Sequence, residues 1–327
     1  MAEGDPVPGS LFIYAPNQAA PIFFAIAFAV SAVFHFWQCS HYHSFSLLGL
    51  HPLCATLLTA GYALREYASF NYLFSTRNLI IYIVSQVLIY ICPPLLELSN
   101  YHILARTFAH TPHLSPLSPR HILTTFGALM ALIEALNALG VALAANPSAS
   151  SSNQSLGKNL ILASLGLQLF ILFTFILLAS IFHQRVIKSS IHTRSISTPL
   201  FTLYASTFLI FVRCIFRLVE HTTGPTTVRL SDPESLKSLT PLLRYEWYFY
   251  VFEATLMLLN SVLWNVWNPG RYLKKGVYLD REGRELQGRV VKRGFGQRIG
   301  NVVTFGVLFR GKKEGEFEEL RELNAGN

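Results

Sequence analysis

The sequence predicts an all-α fold: a polytopic membrane bundle of seven transmembrane helices, amino terminus outside and carboxyl terminus cytoplasmic. Three observations carry that expectation. Apolar, nearly charge-free windows of about 20 residues recur from Pro21 to Asn265, and about 20 helical residues are what a ~30 Å hydrocarbon core demands when every backbone N–H and C=O must be bonded within its own segment. Only 13% of the 327 residues are charged while 51% are hydrophobic, against roughly 25% charged in an average soluble domain, so the chain lacks the surface that water would require. The Lys and Arg residues are also spread unevenly about the apolar windows, which gives the bundle a direction.

The seven segments are 21–38, 46–64, 79–103, 121–145, 158–182, 199–220 and 246–267. They divide the chain into an extracellular amino terminus (1–20), a seven-helix transmembrane domain (21–267) and a flexible cytoplasmic tail (268–327). The first 20 residues carry Glu3 and Asp5 but no Lys or Arg, so the basic flank of a secretory signal peptide is missing and the first segment is expected to be a retained helix. The second segment is interrupted by His51, Pro52 and Gly61; without it the tail would return to the amino-terminal side. In the third, Pro93-Pro94 removes internal donors and kinks the helix beside Glu97, opening a lateral groove between helices. The loop 146–157 is Ser-rich and carries the sequon Asn153-Gln154-Ser155 on the outer side. The loop 221–245, with Gly224-Pro225 and Ser231-Asp232-Pro233, is expected to be partly ordered and external. Aromatic residues at both ends of the seventh segment, Trp247, Tyr248, Tyr250, Trp264, Trp267 and Tyr272, fit interfacial belts. No segment outside the membrane is long enough for a separate catalytic domain.

Orientation follows from charge. With the amino terminus outside, eighteen Lys and Arg fall on the cytoplasmic side and six on the other, and Arg271, Lys274 and Lys275 stand directly after the last segment, where the positive-inside bias is strongest. The net charge of +8 does not point to nucleic acid, because 13 of the 26 Lys and Arg lie beyond residue 270, in a juxtamembrane tail suited to anionic lipid or solvent. Cys39, Cys54, Cys92 and Cys214 sit in or beside apolar stretches with no metal spacing, so buried thiols are expected, with no metal and no cofactor.

Ionisable groups inside the apolar segments carry the functional argument, because such groups are costly in a bilayer and face partners or a polar route. Arg213, Arg217 and Glu220 share one helical face. Glu97 lies deep in the third segment, Glu134 near the middle of the fourth, and Glu253 stands seven residues before Asn260 on one face of the seventh. Two readings remain open and compatible: interhelical salt bridges that hold the helices in register, or a polar lining for a charged headgroup or a proton path. His35, Asn78, Gln86, Asn137 and Gln168 suit interhelical hydrogen bonds.

A series of residues runs in order along the chain: Tyr14-x-Pro16, His35, Gly61-Tyr62 with Arg65, then Tyr82, Gln86, Pro93-Pro94, Tyr101 and Arg106. It continues through Gly166-Leu167-Gln168, Arg213-Cys214-Ile215-Phe216-Arg217-Leu218-Val219-Glu220, Glu246, Ala254 and Asn268-Pro269-Gly270. In these features the chain resembles the fungal lipid-translocating exporter family. In that family Gly127 and Glu134 stand where an aspartate and a glutamine are usual, and Glu253 where an aspartate is. The resemblance implies seven spans, a fungal plasma-membrane location and a role connected with 7-aminocholesterol resistance and sphingoid long-chain-base efflux. It implies transport of an amphiphilic lipid, a sphingoid base or sterol-like amine, driven by a gradient or passive, since no nucleotide-binding loop accompanies it. On this expectation Glu97, Glu134, Glu253 and Asn260 bind substrate, Arg213, Arg217 and Glu220 form a structural ion-pair network, and no residue is catalytic. The partners are membrane lipids or amphiphilic small molecules, and the sequence names no cytoplasmic partner for the tail. Two alternatives stay open: a seven-helix receptor or sensor of lipid or membrane stress, and an intramembrane lipid-modifying enzyme using His35, Glu97 and Glu134.

Overall fold

Helix formation starts where the amino-terminal polar segment ends: Asn17 Oδ1 accepts from the N–H groups of Ala19 (2.8 Å) and Ala20 (3.0 Å), two donors that the helix itself cannot satisfy. The computed structural model describes residues 7–144, 150–189, 193–223, 239–273, 276–280 and 284–287. Helix α1 spans Ala19–His41. A single turn, α2 (Phe45–Leu48), leads into α3 (Leu50–Phe70). The residues expected to interrupt this segment instead begin it: His51 and Pro52 occupy the first turn of α3, where proline's missing N–H has no helical partner to lose. Gly61 is a close approach, not a break. A Cβ there would stand 2.8 Å from Ile89 Cγ1, and Ser85 Oγ donates to the Gly61 carbonyl across the same contact (2.8 Å).

Helices α4 (Thr76–Tyr90) and α5 (Cys92–His110) run end to end through Ile91. Pro93 and Pro94 lie in the first turn of α5, and the chain passes from α4 to α5 through Ile91, whose backbone stays right-handed helical and whose N–H bonds the Val87 carbonyl (3.1 Å), so the prolines mark a junction within one helical stretch. There follow α6 (Pro119–Ala144), α7 (Ser151–Lys188) and α8 (Arg194–Thr223). The last helix starts at Trp247, passes through a π-helical turn, Tyr250–Thr255, and continues as Leu256–Val266. In the π turn Thr255 Oγ1 donates to the Tyr250 carbonyl at 2.9 Å.

The described residues form an all-α multi-pass membrane bundle, in which six helical stretches are long and apolar enough to cross a bilayer: Ala19–His41, Thr76–His110, Pro119–Ala144, Ser151–Lys188, Arg194–Thr223 and Trp247–Arg271. The remaining predicted segment is α3, long enough at 21 residues but less apolar, because it carries His51, Arg65 and Glu66. The surface supports a lipid environment. Phe23, Phe34, Phe170, Phe173, Phe201 and Phe208 are each more than half exposed, an apolar exterior that water would penalise, whereas Arg65, Glu97, Arg213, Glu253 and Asn260 are buried.

Several polar segments differ from expectation. The sequon residue Asn153 lies in the first turn of α7, whose Ser150 cap accepts from the Asn153 N–H (3.3 Å), so it is helical and not part of a loop. Of the long loop at 221–245, residues 224–238 lie outside the described residues. The tail begins in contact with the bundle: β1 (Val277–Leu279) pairs antiparallel with β2 (Glu285–Gln287), the His110 ring Nδ1 bonds the Val277 carbonyl (2.8 Å), and Leu279 is buried in the core. The expected flexibility of 288–327 falls outside the described residues. All four cysteines are free and buried.

Helices α6 and α7 meet backbone to backbone. A Cβ on Gly157 would lie 2.6 Å from the Ala144 N and 2.7 Å from the Gly140 O, atoms that cannot turn aside as a side chain can. Gly157→Val is therefore expected to destabilise the protein by about 1–3 kcal/mol, read as a lower melting temperature in detergent. Gly166→Ala, on the exposed face of the same helix with nothing within 4 Å of the added carbon, should leave the melting temperature unchanged; equal losses from both would refute the close crossing.

Candidate functional site: an ionic network and a polar pocket within the bundle

Three arginines each meet a glutamate, and two of those glutamates stand on the last helix. Near its start, Arg65 Nη2 of α3 lies 2.9 Å from Glu246 Oε1. Arg65 Nε donates to the Tyr250 hydroxyl (3.2 Å), which donates to Glu246 Oε1 (3.1 Å), and Arg65 Nη2 also reaches the Tyr14 hydroxyl at 3.4 Å. The guanidinium carbon sits 4.1 Å from the centre of the Phe249 ring and 4.8 Å from that of Phe12, positions that favour a cation. The Asn17 N–H donates to Glu246 Oε2 (2.6 Å). One arginine thus ties the amino-terminal segment to α3 and the last helix. Desolvation pushes the Tyr14 phenol well above its usual pKa against the opposing charge of Arg65, so Tyr14 serves there as a neutral hydroxyl.

Deeper in the bundle, Arg213 Nε of α8 pairs with Glu253 Oε1 at 2.6 Å. Arg217, one turn on, has partners for both Nη groups: Glu220 Oε2 (2.5 Å) and the Tyr90 hydroxyl (3.3 Å) on Nη1, His221 Nε2 (3.1 Å) on Nη2, and the face of Tyr90, 4.4 Å from the ring centre. Beside these arginines lies a pocket of about 40 Å³. Its polar lining includes Tyr90 of α4, Glu134 and Asn137 of α6, Gln168 of α7, and Arg213 and Arg217 of α8. Pro94, from the first turn of α5, also lines it, so the junction between α4 and α5 opens onto a polar space within the membrane-spanning region.

The residues singled out in the sequence are distributed unequally around that pocket. Glu134 lines it and has no hydrogen-bond or ion-pair partner among the described residues. Glu97 is turned to a different set of partners: the Tyr101 hydroxyl donates to Glu97 Oε1 and Gln168 Nε2 to Oε2 (2.8 Å). Glu253 meets Arg213 with one oxygen, and its Oε2 has no partner among the described residues. Asn260 lies fully buried away from the pocket lining, with neither amide atom bonded among the described residues. His35 bonds Ser261 Oγ (3.2 Å) and stacks on His51, ring centres 5.4 Å apart. His35, Glu97 and Glu134 therefore make no hydrogen bond to one another. Among the described residues, no group of three or more His, Cys, Asp or Glu side chains is placed to hold a metal.

Three residues take parts that the sequence reading does not give them. Arg65 stands just past the predicted second segment (46–64), but α3 runs to Phe70 and buries it; its place among the matching positions with Tyr14 and Glu246 is the available clue. Tyr250 and Trp264 are expected in interfacial belts. Instead Tyr250 belongs to the Arg65 cluster, and Trp264, 1% exposed, donates to Ser206 Oγ at 3.0 Å, while Asn100 Nδ2 donates to the same oxygen (3.0 Å).

A multi-pass helical membrane protein with two arginine–glutamate pairs joining its last helix to others, and a small polar pocket beside them, is the class that this fold and site define. The chain belongs to the RTA1 like protein family, which matches residues 53–276. It is 45% identical over 328 residues to the lipid-translocating exporter-like protein RTA1 of Leptosphaeria maculans, an alignment covering 97% of this chain and 63% of that relative. It is 26% identical over 227 residues to the protein of the same name from Ajellomyces capsulatus, covering 66% of this chain and 67% of that one. The chain thus spans less than two thirds of the length of the Leptosphaeria relative. No solved structure matches it.

The Arg213–Glu253 pair gives a direct test. Removing one partner strands a buried charge, at about 3–5 kcal/mol, whereas replacing both by apolar groups of similar size is often close to neutral. Arg213→Met should therefore lower the melting temperature sharply, and Arg213→Met combined with Glu253→Met should recover most of the loss. Arg77→Ala, at an exposed position of α4, serves as the control. Additive losses in the double variant would show that the two side chains do not stabilise each other.

Proposed function

We propose that the chain translocates an amphiphilic lipid bearing a cationic head, a sphingoid base or a sterol-like amine, across or between the leaflets of the membrane, and that the polar pocket holds the head group. The observation that carries this reading is the carboxylate of Glu134, which lines that pocket and makes no hydrogen bond or ion pair within 4 Å among the described residues, with Arg213 acting on it only from farther away. With Arg213 opposed by Glu253 and Arg217 by Glu220, Glu134 is the carboxylate left for a ligand, and a cation is what it attracts where solvent screening is weak. The relatives' names, lipid-translocating exporter-like protein, support the same activity. The apolar exterior provides a surface along which a hydrocarbon tail can remain in lipid while its head enters beside the α4–α5 junction. Of the acids considered from sequence, Glu134 is the ligand-binding carboxylate in this proposal, Glu253 holds Arg213, and Glu97 supports the pocket through Gln168.

The proposal includes seven crossings, with α3 as the second, and an outside amino terminus, a cytoplasmic carboxyl terminus and a plasma-membrane location. Burial of α3 against neighbouring helices supports the seventh crossing, since a helix shielded from lipid tolerates the polar groups that α3 carries. Epitope tags at the two ends of the chain should stain on opposite sides of the plasma membrane in intact and permeabilised cells. Staining on one side for both ends would require an even number of crossings.

Transport is tested by loading fungal cells with labelled sphingoid base and comparing efflux between deletion and overexpressing strains. Overexpression should accelerate release, and Glu134→Gln should reduce that gain by about tenfold, on the scale of one lost charge-assisted contact. Glu285→Gln, in the exposed strand β2, should preserve it. Equal efflux from both strains would sink the substrate assignment; equal effects of the two substitutions would reject the pocket.

A further inference from the structure

Glu253 gives one oxygen to Arg213, and its other oxygen faces away from the pocket toward α3. It stands in the π-helical turn Tyr250–Thr255, a geometry that recurs at functional positions of helices. The last helix runs antiparallel to α3: His51 meets Trp264 at one end, ring centres 5.5 Å apart, and Arg65 meets the Tyr250 hydroxyl (3.2 Å) fourteen residues on in α3 and fourteen back in the last helix. Three residues inward from Arg65 and Tyr250, this register sets Tyr62 opposite Glu253. The Tyr62 hydroxyl and Glu253 Oε2 are both buried, each without a hydrogen-bond partner among the described residues, and the hydroxyl senses the Glu253 charge. Beyond Tyr62, the Tyr250 hydroxyl donates to Glu246 Oε1 (3.1 Å), whose side chain is 10% exposed and neutralises Arg65 beside it. Glu246, Tyr250 and Tyr62 thus form a line of polar groups from the end of the helix to Glu253. A hydroxyl both donates and accepts, so it can relay a proton, and single waters bridge polar groups that stand just out of direct reach.

On the pocket side, Arg213 holds Glu253 through Nε, while neither Nη group has a hydrogen-bond partner among the described residues, although the residue is only 5% exposed. Glu134 lines the same pocket. Resting on the assignment of this pocket to a cationic ligand, we propose that Glu253 is a proton-binding site reached through Glu246, Tyr250 and Tyr62, and that proton uptake there releases Arg213 to Glu134 in exchange for the ligand. The proton adds to Glu253 Oε2, and the neutral acid no longer opposes the guanidinium. Arg213 then turns to Glu134, the nearby carboxylate that carries no partner of its own, and the ligand cation leaves. Charge is conserved throughout: with ligand bound, Arg213 and the cation balance Glu253 and Glu134, and after the exchange Arg213 alone balances Glu134. One proton enters for one cation released, so a pH gradient drives the exchange and the membrane potential does not. The titratable groups that face Glu253 from neighbouring helices are Tyr62 of α3, Tyr90 of α4, and Arg213, Cys214 and Arg217 of α8. Of the two cations among them, Arg217 is already opposed by Glu220, which leaves Arg213 as the one that proton uptake sets free.

The test measures octadecylamine binding to the full chain in nanodiscs, corrected for partitioning into the lipid, from about pH 7.5 to about pH 5, where the amine stays charged and a change reports the protein. The unmodified protein should lose affinity by about tenfold as the pH falls, the scale of one charge-assisted contact. Glu253→Gln fixes the site in its neutral form, so it should bind weakly at both ends of the range, with a ratio close to one. No pH dependence in the unmodified protein overturns the proposal, and so does a pH dependence that survives in Glu253→Gln, which would belong to Glu134. Tyr62→Phe removes only the hydroxyl: after a rapid drop in pH it should release the ligand several-fold more slowly but to the same final extent, and an unchanged rate overturns the route. If Glu253→Gln does not fold, the release rate of Tyr62→Phe decides. An unmodified protein that binds octadecylamine at neither pH refutes the pocket assignment itself, a result distinct from binding that ignores pH.

Discussion

Charge neutralisation away from water governs this structure. An arginine or glutamate in a bilayer interior is costly unless a charge or hydrogen bond opposes it, because the solvent that would screen it is absent. The chain meets that constraint with Arg65–Glu246, Arg213–Glu253 and Arg217–Glu220. The first two run from the last helix to α3 and α8, so electrostatics fastens the carboxyl-terminal helix at two depths. Neutral polar contacts extend the attachment: Asn265 Nδ2 donates to Ser31 Oγ (2.6 Å) and Gln38 Nε2 to the Asn265 carbonyl (2.8 Å), both joining that helix to α1. The last helix is thus held by polar bonds on several sides, while α6 and α7 are joined through small residues that let their backbones touch.

This difference in attachment bears on where a head group can enter. The pocket lies among α4–α8, and its α6 wall packs on α7 through the close approach of Gly140 and Gly157. Contacts between apolar side chains can slide in lipid with little loss, since the hydrocarbon chains replace them, whereas an ionic bond cannot be exchanged for a lipid tail. The pocket therefore combines α8, held by Arg213 to the last helix, with a wall at α6 that carries Glu134.

Much of the fold was legible because a charge in a long apolar run stands out. Depth along a helix follows directly from residue number, so Arg213, Glu253, Glu97 and Glu134 could all be placed inside the bundle. Azimuth could not. Whether Glu97 or Glu134 faces the pocket depends on how far each helix is rotated about its own axis, which tertiary contacts decide; Tyr101 and Gln168 claim Glu97, leaving Glu134. Arg65 was hidden for the opposite reason, since a cation at the end of an apolar run is ordinary, and its acid lies 181 positions away in the chain. Pro52 misled because its effect depends on whether it falls within a helix or at its start, and the boundary between α2 and α3 is marked only by Gly49. Tyr14, Arg65 and Glu246, far apart in the chain, meet through the Arg65 guanidinium, a contact that no spacing along the sequence could show.

The π-helical turn at Tyr250–Thr255 sets the angular phase of everything after it. Successive residues of an α-helix advance by about 100°, and a wide turn absorbs one residue without the corresponding advance. Glu246, Tyr250 and Glu253 precede or occupy this adjustment, whereas Asn260, Ser261 and Trp264 follow it. The two halves of the helix can therefore each aim polar groups inward although their sequences would fall out of step on a uniform helix. Converting the wide turn to an ordinary one would rotate the second half relative to the first like a key in a lock. It would carry Asn260, whose amide has no partner among the described residues, toward new neighbours while Arg65 still held the first half in place.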